Sequence, residues 1–135
     1  RERAWDEARE TFQHLIKRKI SQRIYLLVGL PCSGKSEWAK ERAVLPDRHS
    51  VIIDATNLLR GERALWINLA RKGKDIKVCA VVFLTDFITI KERNIERLDQ
   101  NKFIDVSILE TKKDKFESID IKFEDIDEMV IVRED

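Results

Sequence analysis

Residues 26–40 read "LLVGLPCSGKSEWAK", an apolar run that ends in a glycine-bracketed loop closed by Lys35 and Ser36. The loop fits G-x-x-x-x-G-K-[ST] from Gly29 to Ser36, through Leu30, Pro31, Cys32, Ser33, Gly34 and Lys35. Glycines let the backbone turn so that successive N–H groups point inward and form a concave anion site, which the N-terminus of the next helix completes. Lys35 then reaches the outer phosphates of a polyphosphate, and Ser36 offers its hydroxyl to a Mg²⁺ ion bridging them. A chance glycine turn would match the same letters, so context decides. Arg23–Val28 is rich in strand formers and Glu37–Ala43 reads as a helix, the order this loop requires.

The same alternation continues outward. Residues 2–19 carry Trp5, Ala8, Phe12, Leu15 and Ile16 at helical spacing, an amphipathic helix that runs into basic Lys17-Arg18-Lys19. Packing on the sheet or linking to a preceding region is its simplest role. Strands are expected at 50–54, 76–84 and 129–132, and helices at 60–72, 87–98 and 106–116. Strands alternating with helices specify a parallel sheet flanked by helices, an α/β fold of the P-loop NTPase-like kind, with ligands beyond the carboxyl ends of the strands. The expected division is an N-terminal helix or linker over 1–21 and a P-loop domain over 22–135.

Composition bounds the rest. A chain of 135 residues is one domain, small for a complete nucleotide kinase. Lys and Arg (26) nearly balance Asp and Glu (25), so no global field draws the chain to nucleic acid. No interleaved aromatic and basic stretch of the kind that stacks bases is present, so the sequence does not choose between DNA and RNA. Two cysteines, Cys32 and Cys79, fit a reduced intracellular compartment better than a disulfide framework. No apolar run approaches membrane-spanning length, so no membrane partner is expected. The start at Arg1 suggests a piece of something larger.

A second stretch, "VIIDATNLLRGERALW" at 51–66, completes the site. An acid that ends an apolar strand is the usual way to set a carboxylate beside loop-bound Mg²⁺, which makes Asp54 the metal partner of Ser36. Asp54 could instead cap a helix. Asn57 is the better cap candidate, since it precedes a helical segment containing Glu62.

These pieces resemble the polynucleotide 5′-hydroxyl kinases and their P-loop relatives. "GLPCSGKSEWAK", "IIDATNLLRGERALW", "KERNIER", "FIDVSI" and "KFEDIDEMVIV" stand in that family's order, over about residues 23 to 133. The resemblance implies ATP and Mg²⁺ as cofactors, a nucleic-acid 5′ end as partner, and transfer of the ATP γ-phosphate to its hydroxyl. It also implies that "KERNIER" lies in a lid, with Arg97 on the transferring phosphate and Arg93 in support. Without it, the same charges read as a solvated helix face with i,i+4 pairs. Cys32 stands where the family usually has a small residue, and Glu37 where it often has threonine; neither change removes a required group.

One departure is larger. The family carries, between the loop helix and the acid-x-Thr-Asn strand, a further strand ending in the aspartate that accepts the hydroxyl proton. Here only "VLPDRHS" separates Ala43 from Val51, and seven residues hold no strand and helix together. Asp47 is the remaining candidate base. A gap between consecutive Cα atoms in this stretch is expected if it joins the ends of a longer segment. The contrasting expectation is a catalytically degenerate nucleotide-binding module, acting as a switch or RNA-associated platform; a small-molecule kinase is a third.

Overall fold

The computed structural model describes residues 2–17, 23–43, 50–73 and 75–134. Arg23–Val28 forms strand β1, Ser50–Asp54 β2, Lys77–Thr85 β3 and Glu128–Glu134 β4, and every pairing between them is parallel, in the order β2-β1-β3-β4. Helices α1 (Glu2–Lys17), α2 (Lys35–Ala43), α3 (Arg60–Ala70), α4 (Phe87–Glu96) and α5 (Val106–Lys115) flank the sheet. The α/β parallel architecture read from the alternation is therefore the architecture of the protein.

Residue alternation along β1 sorts the two faces, as a strand period of two requires. Ile24 and Leu26 turn to one side with Val78 and Ala80, where Phe12 of α1 and Trp66, Ile67, Leu69 and Ala70 of α3 cover them. Phe12 and Trp66 stack with ring centroids 5.8 Å apart, so this residue of α1 packs against α3. Leu27 turns to the other side with Cys79, Val81 and Phe83, under Trp38 and Ala39 of α2. Near-continuous apolar runs in β1 and β3 thus follow from burial on both faces.

Two details depart from the sequence reading, and a third cannot be placed. Helix α4 stops at Glu96, with Arg97 as its C-cap, and a 3₁₀ turn, Leu98–Gln100, follows before Asn101 takes the left-handed conformation at φ 54°. Asn57 is not the cap of α3: Leu59 holds that position, its N–H donating to Glu62 Oε1 at 3.2 Å, while Asn57 is buried at φ 46°. The stretch from 44 to 49, on which Asp47, Arg48 and the expected chain gap fall, lies outside the described residues, as do residues 18–22 with the end of the basic run.

The segment before β4 is tied down by two arginines of α3 and its end. Arg63 is fully buried, its Nε 2.6 Å from Glu124 Oε1, and its Nη groups donate to the carbonyls of Asn57, Leu58 and Glu117, each at 2.9 Å. Arg71 pairs with Asp125 and Asp127 at 2.9 Å each. The turn after Asp54 is thereby fixed from below.

Candidate functional site

Strand β1 delivers the loop Gly29–Ser36 to the carboxyl edge of the sheet, and α2 begins at Lys35. Gly29 is required by space: a Cβ there would stand 2.8 Å from Ser33 Oγ and 3.0 Å from Phe83 Cβ. Gly34 is required by conformation, at φ 99°, a region closed to most side chains. Cys32 adopts a left-handed φ of 65° without being glycine.

The loop is held from three directions. Gly29 N–H donates to Thr56 O at 3.0 Å, and Asn57 Nδ2 donates to Leu27 O at 2.9 Å, so the turn after β2 carries the β1 pairing past the strand ends. Thr85 Oγ1, at the end of β3, donates to Ser33 O at 2.7 Å. From α4 and its cap, Arg93 Nη1 donates to Cys32 O at 3.1 Å and Arg97 Nη1 lies 2.9 Å from Cys32 Sγ. Both arginines are half-buried and turned to the loop, so the pair is more than a solvated helix face.

Lys35 folds back under its own loop. Its Nζ donates to Gly29 O at 2.7 Å and Leu30 O at 2.8 Å, and the residue is only 8 % exposed. Burial brings its pKa down to about 8; nearby Asp54 and Cys32 oppose the shift, while Lys112 and Arg97 add to it. Two neutral carbonyls are weak company for a buried ammonium, and an anion would compensate the charge far better. Ser36 Oγ stands 3.4 Å from Asp54 Oδ2, both exposed at the mouth of the loop. A hydroxyl and a carboxylate with open access suit Mg²⁺, which keeps most of its shell for water and phosphate oxygens.

At the site, among the described residues, the buried Ser33 Oγ, inside the loop, and Asn57 Oδ1, behind it, have no hydrogen-bond partner. A buried unpaired hydroxyl in a phosphate-type loop fits a site whose ligand supplies the missing partner.

The fold thus brings Gly29, Cys32, Ser33, Gly34, Lys35, Ser36, Asp54, Arg93 and Arg97 to one edge of the sheet; Asp47 lies outside the described residues. Asn57, Arg63, Thr85 and Asn94 position the site without having been singled out for that role. Asn94, fully buried, exchanges hydrogen bonds with the backbone of Ile104 at 2.6 and 3.0 Å and so fixes the turn beyond Arg97. Its only signal in the sequence is an amide amid the charges of "KERNIER".

Comparison with known proteins adds a family. No curated protein matches the chain. The protein family described as "AAA domain" matches residues 42–119, more than half of the chain. The matched stretch begins near the end of α2, so the phosphate loop before it is judged on its own residues and geometry. It includes Asp54, Arg93 and Arg97, and with the four-stranded parallel sheet it makes the domain P-loop NTPase-like. The chain belongs to the AAA domain family.

Proposed function

We propose that residues 22–135 form an ATP-dependent phosphotransferase unit that moves the γ-phosphate to the 5′-hydroxyl end of a nucleic acid, with residues 1–21 as an attached helix or linker. The observation that carries the reading is the convergence of Arg93 and Arg97 on Cys32, in the middle of the phosphate loop. A loop that only stored a nucleotide would gain little from two guanidinium groups there. An arginine on a transferring phosphoryl group contributes on the order of 10³ to 10⁵ in rate.

In this reading the backbone from Gly29 to Ser36 cradles the polyphosphate, with Cys32, Ser33 and Gly34 at its centre, and Lys35 takes the outer phosphates. Ser36 and Asp54 would hold Mg²⁺, which would supply positive charge against the charge that develops during transfer. Arg97 meets the moving phosphoryl group and Arg93 steadies it. The acceptor oxygen forms a bond to the γ-phosphorus as the bond to the β–γ bridging oxygen breaks; the hydroxyl proton goes to a carboxylate, for which Asp47 is the candidate. The free thiols of Cys32 and Cys79 suit a reducing intracellular compartment.

The test is incubation with γ-labelled ATP, Mg²⁺ and a 5′-hydroxyl oligonucleotide. Labelled oligonucleotide that disappears in Lys35→Ala supports the reading. ATP binding without transfer would instead identify a nucleotide-dependent binding module.

A further inference from the structure

Strand β4 closes the sheet on the side away from β2. It pairs with β3 and, among the described residues, with no strand beyond it. Edge strands of natural sheets are short, or carry charge, proline or a bulge that stops another chain from pairing. β4 runs seven residues, Glu128–Glu134, in unbroken register with β3, and its centre, Met129-Val130-Ile131-Val132, has none of these protections. Met129, Val130 and Ile131 are 44, 45 and 47 % exposed. Successive residues alternate faces, so the strand is open on both faces as well as along its edge. The other edge strand differs: Val51, Ile52 and Ile53 of β2 are half-buried.

The order of the residues names the partner. A two-fold axis perpendicular to the sheet runs two copies of β4 antiparallel, and because it keeps the two faces of the sheet, it sets odd residues opposite odd ones and even opposite even. With Val130 on the axis, Met129 falls opposite Ile131, Glu128 opposite Val132, and Asp127 opposite Arg133. Apolar residues meet in the middle and an acid meets a base at each end. Both of these end groups are open to a new partner. Arg133 is exposed and has no ion pair among the described residues. The Arg71 guanidinium and the Val78 N–H both donate to Asp127 Oδ2, so Oδ1 accepts no hydrogen bond among the described residues. Glu128 keeps its charge matched by Arg23, 2.9 Å away. Neighbouring registers lose this fit: with Ile131 on the axis Glu128 faces Glu134 and Met129 faces Arg133, and with Met129 on the axis Asp127 faces Ile131.

We propose that two copies of this chain join edge to edge along β4, antiparallel, with Val130 on the two-fold axis. The product is one eight-stranded sheet, four strands from each copy. The pairing consumes both open edges, so it closes at two copies. Because the two halves run in opposite directions, their phosphate loops stand at opposite ends of the joined sheet, and neither copy enters the other's site.

The test is sedimentation velocity of the whole chain over a series of concentrations. The parent should approach twice the monomer mass as concentration rises. Val130→Lys, which sets two ammonium groups against each other on the axis, should stay monomeric with an unchanged circular dichroism spectrum, whereas Val130→Thr should keep the dimer. Arg133→Glu, on an exposed side chain that the fold does not need, should raise the dissociation constant about tenfold or more by placing like charge opposite Asp127. Should Val130→Lys fail to fold, Arg133→Glu decides alone. A parent that is monomeric throughout overturns the proposal. So does a dimer that Arg133→Glu leaves at the parent's affinity, or an assembly of more than two copies.

Discussion

Arg97 Nη1 lies 2.9 Å from the sulfur of Cys32, so the residue that ends α4 rests on the middle of the phosphate loop. A thiol is a weak acceptor for a guanidinium group, and phosphate oxygens are strong ones. The contact sets Arg97 at the loop, where a phosphate oxygen would be a better acceptor than the thiol. The consequences for neighbouring residues can each be measured.

Lys35 should give nucleotide binding a pH dependence. Burial lowers its pKa from 10.5 to about 8, so the unliganded loop loses its ammonium as pH rises past about 8, while bound phosphates favour keeping it. Affinity for ATP should be nearly flat from pH 7 to 8 and then fall by up to about tenfold per pH unit. For stability the sign is opposite: the cost of burying the charge is fully present below about pH 8 and is relieved as pH rises towards 10.5, where the unfolded chain also loses the proton. Calorimetric titrations at pH 7.5 and 9.5 check the first statement. In Lys35→Ala, affinity should be lower and this dependence absent; an unchanged affinity would end the loop assignment.

Asp54 stands 3.4 Å from the Ser36 hydroxyl and acts, in this account, through the ion. Asp54→Asn should lower Mg²⁺-dependent ATP affinity about tenfold and leave metal-free affinity unchanged, since one ligand charge is lost only where the metal is present. Equal losses with and without Mg²⁺ would assign the carboxylate a structural role.

Arg63 should matter for stability rather than for transfer. It is 0 % exposed and bridges Glu124 to the carbonyls behind the site, so Arg63→Met leaves the Glu124 carboxylate without its counter-charge and the carbonyls of Asn57 and Glu117 without this donor. The expected loss is about 3–5 kcal/mol in urea unfolding. Arg63→Lys should recover little of it, because an ammonium cannot reproduce the forked donor set. A loss under 1 kcal/mol would show that water replaces these bonds.

How much was legible in the sequence follows from how local each signal is. The loop was legible because its eight residues are consecutive and their neighbours obey strand and helix periods. Asp54 was legible because strand β2 simply stops on it. Arg93 and Arg97 were legible only through a family resemblance: their spacing alone also describes a solvated face, and what separates the two is Cys32, more than sixty residues away. Asn57 misled, since an asparagine before a helix reads as a cap; its positive φ and its bond to Leu27 O are set by strand β1, thirty residues back. Arg63 sits amid polar neighbours and looks like surface until the segment 117–124 folds over it.

The central claim is that Arg97 serves the moving phosphoryl group, and Arg97→Ala tests it most directly when transfer rate and ATP affinity are measured on the same preparation. A group that acts in the transition state changes kcat far more than ground-state binding. The account predicts a fall in transfer to a 5′-hydroxyl oligonucleotide of about 10³-fold or more, with the ATP dissociation constant changed by less than about tenfold. A variant that transfers phosphate at the parent's rate, or that loses ATP affinity by as much as it loses rate, would contradict it.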